Sequence, residues 1–299
     1  DNLTLDDKRV IVNDYILPEI NTKMGFDNVV NMTNDMIEYI IDSYTLEPGV
    51  RKLKEILFDL YGEINLEILK SDNSTREMPI QITKENIDKK YLKRYHKVNA
   101  KKIHKESETG VINGLWANSL GQGGIIPIQT LFYPCSTFLD LRLTGLQGDV
   151  MKESMNVAKT LAWNMTTDKQ KENLISKFDK TKNQGLHIHC PEGSISKDGP
   201  SAGAAITTAI YSLFNSKKIR NDVAITGEIN LQGEITAIGG LEIKINGGIK
   251  AGIQKFLYPE ENERDFEDWK SKNENKLNDL NIEFVNVSKI NDVFQHVFV

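Results

Sequence analysis

Cysteine is nearly missing from this sequence: 299 residues hold two, Cys135 and Cys190. That excludes a disulfide framework and points to a reducing, intracellular compartment. An excess of basic charge is missing too, since 37 Lys and Arg are outnumbered by 42 Asp and Glu, a formal charge of −5. Without a basic stripe, nucleic acid is not an expected partner. Apolar runs fit for lipid are also lacking. Residues 109–139 carry no charge, but five glycines, Pro127 and Pro134 interrupt them, and a broken backbone in lipid would be left unsatisfied. Residues 199–216 are 18 long and rich in small and hydroxylated side chains, which suits a helix buried on all sides in a soluble core. No membrane partner is expected. The chain opens without Met and without a basic-then-apolar leader, as an excised piece or a processed product would. What is present is a globular composition, 39% hydrophobic and 26% charged, with length enough for two domains.

The first part of the chain reads as helical. Thr4 is placed to cap a helix that runs to Leu17 and stops at Pro18, with Val10, Ile11 and Tyr15 as its candidate apolar face. Thr33 is placed to cap a second, carrying Met36, Ile37, Ile40 and Ile41. Pro48 fits the first turn of a third, where Leu53, Ile56, Leu57, Leu60 and Ile64 recur at helical spacing. This helical unit is expected over residues 1–72. A connector follows over 73–106, with a polar turn, a short strand and helix within 80–92, and a solvated stretch rich in Lys and His. From 107 to 299 strands join the helices. Ile126, Ile128, Thr130 and Phe132 alternate, as do Phe138, Asp140 and Arg142. Asp149 to Trp163 reads as a helix, 185–190 as a strand, and further short strands fall within 223–238, 256–258 and 283–287. The mixture lacks strict βαβ alternation, so the expected class is α+β.

Lys197-Asp198-Gly199-Pro200-Ser201-Ala202-Gly203 leads into the buried helix and puts Ser201 in its first turn. Unpaired N–H groups and the positive end of the helix dipole gather there, as an acyl-transfer oxyanion requires. Ser and Asp are also ordinary helix caps. The pattern fits G-x-S-x-G, but a polar loop precedes it where an apolar strand is needed, and the one histidine after Ser201 is His296. A base for Ser201 has two sources. His187 and His189 share one face of a strand, with Cys190 on the other, so no metal site is expected. Lys244 lies early in a helix after Gly239-Gly240, where burial and a helix N-terminus would lower its pKa. Spacing alone does not choose between them.

Six blocks, in order, carry a resemblance to the Lon protease family. They are Leu143 to Ser154, His187-Ile188-His189-Cys190-Pro191-Glu192-Gly193, Lys197 to Gly203, Thr226-Gly227-Glu228-Ile229, Gly239-Gly240-Leu241 with Lys244, and Gly248 through Asn262. The resemblance is nearly continuous from about Gly110 to the C-terminus. It implies that Ser201 is a nucleophile and Lys244 its partner in a Ser–Lys dyad, 43 residues apart. It implies that Thr226 helps hold the lysine, that Asp198 stands beside the nucleophile, and that His189, like His187, lies near the site without being the base. The first 72 residues resemble the small helical subdomain of an AAA+ ATPase, with Arg51 at the nucleotide-sensing sensor-2 position. The implied fold is thus a helical AAA+ lid subdomain followed by a mixed α/β Lon-type proteolytic domain over 107–299.

Several positions depart from the family pattern. Trp116-Ala117-Asn118-Ser119-Leu120-Gly121-Gln122-Gly123-Gly124 is longer by a few residues than the family loop, and Glu242 stands where a second lysine is common. No G-x-x-x-x-G-K-[ST] occurs, so the nucleotide-cradling half of an ATPase is not in this chain. The resemblance implies an ATP-dependent serine endopeptidase of unfolded or damaged proteins, working as a homohexamer in the cytoplasm or mitochondrial matrix. ATP and Mg would belong to the full-length protein, with no cofactor in this chain. The alternative, motivated by the altered loop and the missing ATPase half, is a catalytically latent assembly or scaffold module.

Overall fold

The computed structural model describes residues 3, 5–45, 47, 49–70, 78–98, 102–118, 121–145, 148–191, 199–277 and 280–299. The chain divides into two compact units, 1–99 with 118–121, and 100–117 with 122–299.

The first unit opens with α1 (Leu5–Ile11), a π-helical turn (Val12–Ile16) and α2 (Leu17–Met24). The expected stop at Pro18 is corrected: the helix runs through it. The Leu17 N–H donates to Val12 O, five residues back, and Pro18 falls in the first turn of α2. Its missing N–H therefore lies where the ladder has already been widened. The wide turn also resets the buried face. Lys8, Val12, Ile16 and Ile20 lie inside at four-residue intervals, whereas Val10 and Tyr15 are 52% and 69% exposed. The face expected at Val10, Ile11 and Tyr15 is corrected at Val10 and Tyr15, while Ile11 packs against the core, and Thr4 and Pro48 lie outside the described residues.

β1 (Val30–Asn31) precedes α3 (Asn34–Tyr44) and α4 (Arg51–Lys70). Ile37, Ile40 and Ile41 of α3 pack with Leu53, Ile56, Leu57, Leu60 and Ile64 of α4. Glu47 closes the start of α4, its carboxylate accepting the N–H groups of Lys52 and Leu53 at 2.8 and 2.7 Å. That satisfies donors the helix itself cannot, and sets a negative charge against its dipole. β2 (Ile80–Gln81) pairs with β1 in parallel, and α5 (Lys84–Asn86) runs into a second π turn at Ile87–Tyr91. Ile82, Ile87, Tyr91 and Leu92 enter the same core, so the 80–92 stretch shares the interior of the helical unit.

The second unit begins with β3 (Glu108–Thr109), β4 (Val111–Ala117), β5 (Gly123–Tyr133) and β6 (Leu141–Thr144). The strand expected from Phe138 starts later because Leu139 sits at φ 53°, a turn conformation. Helices α6 (Asp149–Met165) and α7 (Asp168–Thr181) lead to β7 (Gly185–His189), and a 3₁₀ turn at Pro200–Ala202 opens α8 (Gly203–Asn215). Then come β8 (Lys218–Ile219), β9 (Val223–Ile225), the hairpin β10 (Glu228–Ile229) and β11 (Ile235–Thr236), and α9 (Leu241–Ala251). β12 (Lys255–Pro259), α10 (Glu263–Leu277), β13 (Glu283–Val287) and α11 (Ile290–Val297) complete it.

Seven strands form one sheet in the order β13-β12-β9-β4-β5-β7-β6. β13, β12, β9 and β4 run parallel, β5 is antiparallel to β4 and β7, and β6 is parallel to β7. Helices cover both faces, and strand alternation sorts the cores. Ile126 and Ile128 of β5 pack with α8, while Ile125 of the same strand packs with Leu241 and Ile245 of α9. Helices first and a mixed helix–sheet unit after them is the architecture the sequence led us to expect.

α9 seats directly on the backbone of β5. A Cβ on Gly247 would lie 2.2 Å from the Gly123 carbonyl carbon and 2.3 Å from the Gly124 nitrogen, and main chain cannot swing aside as a side chain can. Gly247→Ala is therefore expected to destabilise the second unit by about 2 kcal/mol or more. Gly62→Ala in α4, where a Cβ meets nothing within 4 Å, is expected to be neutral or to stabilise by about 0.5–1 kcal/mol. Urea unfolding of the two variants beside wild type checks both.

Candidate active site

The site forms where β9 ends. Val223 and Ile225 point into the core shared with α8, and Ala224 points into the core shared with α9. Thr226, the next residue, continues in the direction of Ala224 and meets Lys244 in the first turns of α9. The Lys244 ammonium nitrogen donates to Thr226 Oγ1 at 3.2 Å, and Thr226 Oγ1 donates to the Ser201 carbonyl at 3.4 Å. Backbone bonds fix the same corner. Gly227 N–H donates to Ser201 O at 2.8 Å, and Ala204 N–H donates to Gly227 O at 3.1 Å. The opening of α8 and the end of β9 are thereby held together.

Lys244 is only 4% exposed and Thr226 is fully buried. Burial pushes the Lys244 pKa down to about 8, because the ammonium loses hydration. Ser201 is half-buried in the 3₁₀ turn. Among the described residues no hydrogen bond joins its hydroxyl to Lys244. Gly199 before it has φ 127°, a conformation that suits glycine.

The structure thus brings Ser201, Thr226 and Lys244 together. Asp198 lies outside the described residues. His187 and His189 stand on β7, separated from β9 by β4 and β5. Thr144 Oγ1 lies 2.9 Å from His187 Nε2 and 2.7 Å from His189 Nδ1. Burial, then Arg142, then His189 hold the His187 pKa below its ordinary value. Neither ring is hydrogen-bonded to Ser201 or Lys244 among the described residues. There, too, no group of three or more His, Cys, Asp or Glu is arranged to hold a metal ion, and no helix is long and apolar enough to cross a membrane. Arg51 starts α4 in the first unit, with its side chain exposed. One residue that seats the lysine helix was not singled out from the sequence, Gly247. Its signal was a glycine one turn beyond Lys244.

Comparison with known proteins places the chain in a family. Residues 81–299 match the family described as the Lon protease (S16) C-terminal proteolytic domain. A Lon protease of Brucella suis biovar 1 is 34% identical over 99% of this chain and 34% of its own length. A Lon protease of Clostridium acetobutylicum is 34% identical over 88% of the chain and 32% of its own length. A Lon protease homolog of Acanthamoeba polyphaga mimivirus is also 34% identical, over 95% and 33%. The chain spans about a third of the length of these curated relatives. With the match covering the whole sheet unit and these relatives aligning over nearly all of the chain, it belongs to the Lon protease family.

Proposed function

We propose that this chain is the proteolytic part of a serine endopeptidase in which Ser201 attacks the peptide carbonyl and Lys244 is the general base. The observation that carries this reading is Lys244, a nearly inaccessible lysine whose low pKa comes from burial rather than from a neighbouring cation. A free lysine, of pKa about 10.4, is neutral in only about one molecule in 2,500 at pH 7. At a pKa of about 8 the neutral fraction is about one in ten, enough for a working base. Thr226 accepts one N–H of that amine, which leaves the lone pair free to turn toward the Ser201 hydroxyl. Lys244 takes the hydroxyl proton as Ser201 Oγ attacks. Backbone N–H groups of the 3₁₀ turn at Ser201 and Ala202 receive the oxyanion, and Lys244 then protonates the leaving amine. Water hydrolyses the acyl-enzyme. Asp198 is assigned a supporting place beside the nucleophile, and His189 a place nearby without acid–base duty.

The substrates of the whole protein are, on this reading, unfolded or damaged polypeptides, degraded with ATP by a homohexamer in a reducing compartment, cytoplasm or mitochondrial matrix. The residues of this chain do not themselves fit a nucleotide. The sequence has no phosphate-cradling loop, and Arg51, exposed at the start of α4, is the single side chain it would offer as a sensor.

Three measurements test the dyad. Ser201→Ala and Lys244→Ala are each expected to lower kcat on an unstructured fluorogenic peptide by about 10³-fold or more, while His189→Ala keeps measurable turnover. Survival of activity in Lys244→Ala would remove the lysine from its role, and silence of wild type with ATP in the full-length protein would favour the latent scaffold. In the active chain, kcat is expected to rise about tenfold per pH unit below 8 and to level off above it, as Lys244 loses its proton.

Stability is expected to rise with pH as activity does, but over the next window, above pH 8. Folded Lys244 holds its proton up to about pH 8, and the unfolded chain holds it up to about 10.4. Between those values the unfolded state binds more protons, so stability rises with pH, and below 8 a penalty of about 3 kcal/mol is fully present. Lys244→Met is therefore expected to raise unfolding stability at pH 7 by up to about 3 kcal/mol while abolishing turnover, with the gain fading near pH 10.5. Denaturant titrations at the two pH values check this.

A further inference from the structure

On the sheet face away from α8, a cavity of about 300 Å³ lies over β4 and β5 beneath the segment that leads into β3. Asn113, Pro127 and Gln129 line it, alternating along their strands with Ile112, Ile126 and Ile128, which pack under α8. Buried polar atoms are nearly always hydrogen-bonded. Among the described residues three buried side-chain atoms are not, namely both ring nitrogens of His104 and the Oδ1 of Asn113. Both residues line this one cavity.

The unmet groups are held in place. Asn113 is fully buried, and its Nδ2 donates to Asn221 O and to Val223 O, each at 2.9 Å. Both partners are carbonyls, which only accept, so the amide cannot be turned over and Oδ1 is left asking for a donor. The backbone of His104 is pinned by Asn221 Nδ2, which donates to His104 O at 2.8 Å. Burial holds the imidazole pKa below its ordinary value, so the ring is neutral at pH 7 and offers one donor and one acceptor. Lys102 and Glu108 bring opposite charges to the same cavity, and the Lys102 ammonium already donates to Lys250 O.

These demands select a ligand class. A simple anion would meet the Glu108 carboxylate and an Asn113 oxygen that can only accept. A simple cation would meet the Lys102 ammonium. A molecule with both charges satisfies both sides, and the volume is at the lower end for small-molecule sites. We propose that this cavity binds a small zwitterion bearing an α-ammonium and a carboxylate, a free amino acid or a short peptide. Its ammonium donates to Asn113 Oδ1 and Glu108, and its carboxylate accepts from His104 and Lys102. The proposal stands apart from the Ser201–Lys244 reading and does not need it.

The test titrates the full chain, ¹⁵N-labelled at histidine, with alanine, with dialanine and with N-acetylalanine methylamide, which lacks both charges. The readout is the ring-nitrogen signal of His104, identified by its absence in His104→Phe. Alanine or dialanine is expected to move that signal saturably, and the capped compound is not. Glu108→Gln and Gln129→Trp, both at exposed positions, are expected to weaken the effect by at least about tenfold, the first by removing the ammonium partner and the second by filling the mouth. Whichever of alanine and dialanine saturates first names the member of the class. Equal response to the capped compound, insensitivity to both substitutions, or no response to any of the three would overturn the proposal, the last assigning the cavity to water.

Discussion

The site at the end of β9 depends on one unfavourable act, the removal of a lysine side chain from water with, among the described residues, a neutral hydroxyl to receive it. Thr226 satisfies an N–H of Lys244 without stabilising its charge. A carboxylate in the same place would have raised the pKa and kept the proton on. The surroundings are arranged so that this isolation persists. Leu241 and Ile245 flank the lysine in a buried apolar cluster, and Gly247 lets α9 descend onto the β5 main chain. A helix standing even one methyl group further out would admit water to the same space and return the lysine toward its ordinary value. The close helix–sheet contact and the perturbed lysine are, in physical terms, one feature.

Much of the fold could be read from the residues, and the failures have identifiable causes. Leu53, Ile56, Leu57, Leu60 and Ile64 follow an undisturbed helical period, and all are buried. The first helix does not follow it, because a π turn ahead of Pro18 places the buried residues four apart and carries Val10 and Tyr15 outward. A period of 3.6 finds the wrong face whenever the ladder skips a residue. Leu139 shows the other kind of failure. Its positive φ belongs to no preferred pattern for leucine, so the alternation from Phe138 looked like strand one turn too early. α7 gave little signal, since only Leu174 and Phe178 of its 14 residues are buried.

The site was legible in part for a related reason. Ser201 announced itself by the Pro-Ser-Ala-Gly turn before a buried helix. His187, His189 and Lys244 could not be ranked as partners from spacing, because the ranking depends on strand order. β7 follows β6 in sequence and in the sheet, yet two strands separate it from β9. That arrangement leaves the histidines with Thr144 and gives Lys244 to Thr226. Crossovers of this kind leave no local trace, so the pairing came from family resemblance and its geometry from the fold.

The positions of Ser201 and Lys244 within their helices follow from the sheet. α8 and α9 pack on opposite faces, and a sheet cannot be crossed within its width. Residues from the two helices can meet only beyond the end of a strand. Both must then lie near a helix N-terminus, the end that faces the carboxyl edge of a parallel strand. Ser201 precedes α8 by two residues, Lys244 is the fourth residue of α9, and Thr226 is the first residue past β9. The same geometry sets Ser201 in the turn that opens a helix, where backbone N–H groups gather. In the proposed dyad, the donors offered to an oxyanion follow from the same constraint that lets Ser201 and Lys244 meet.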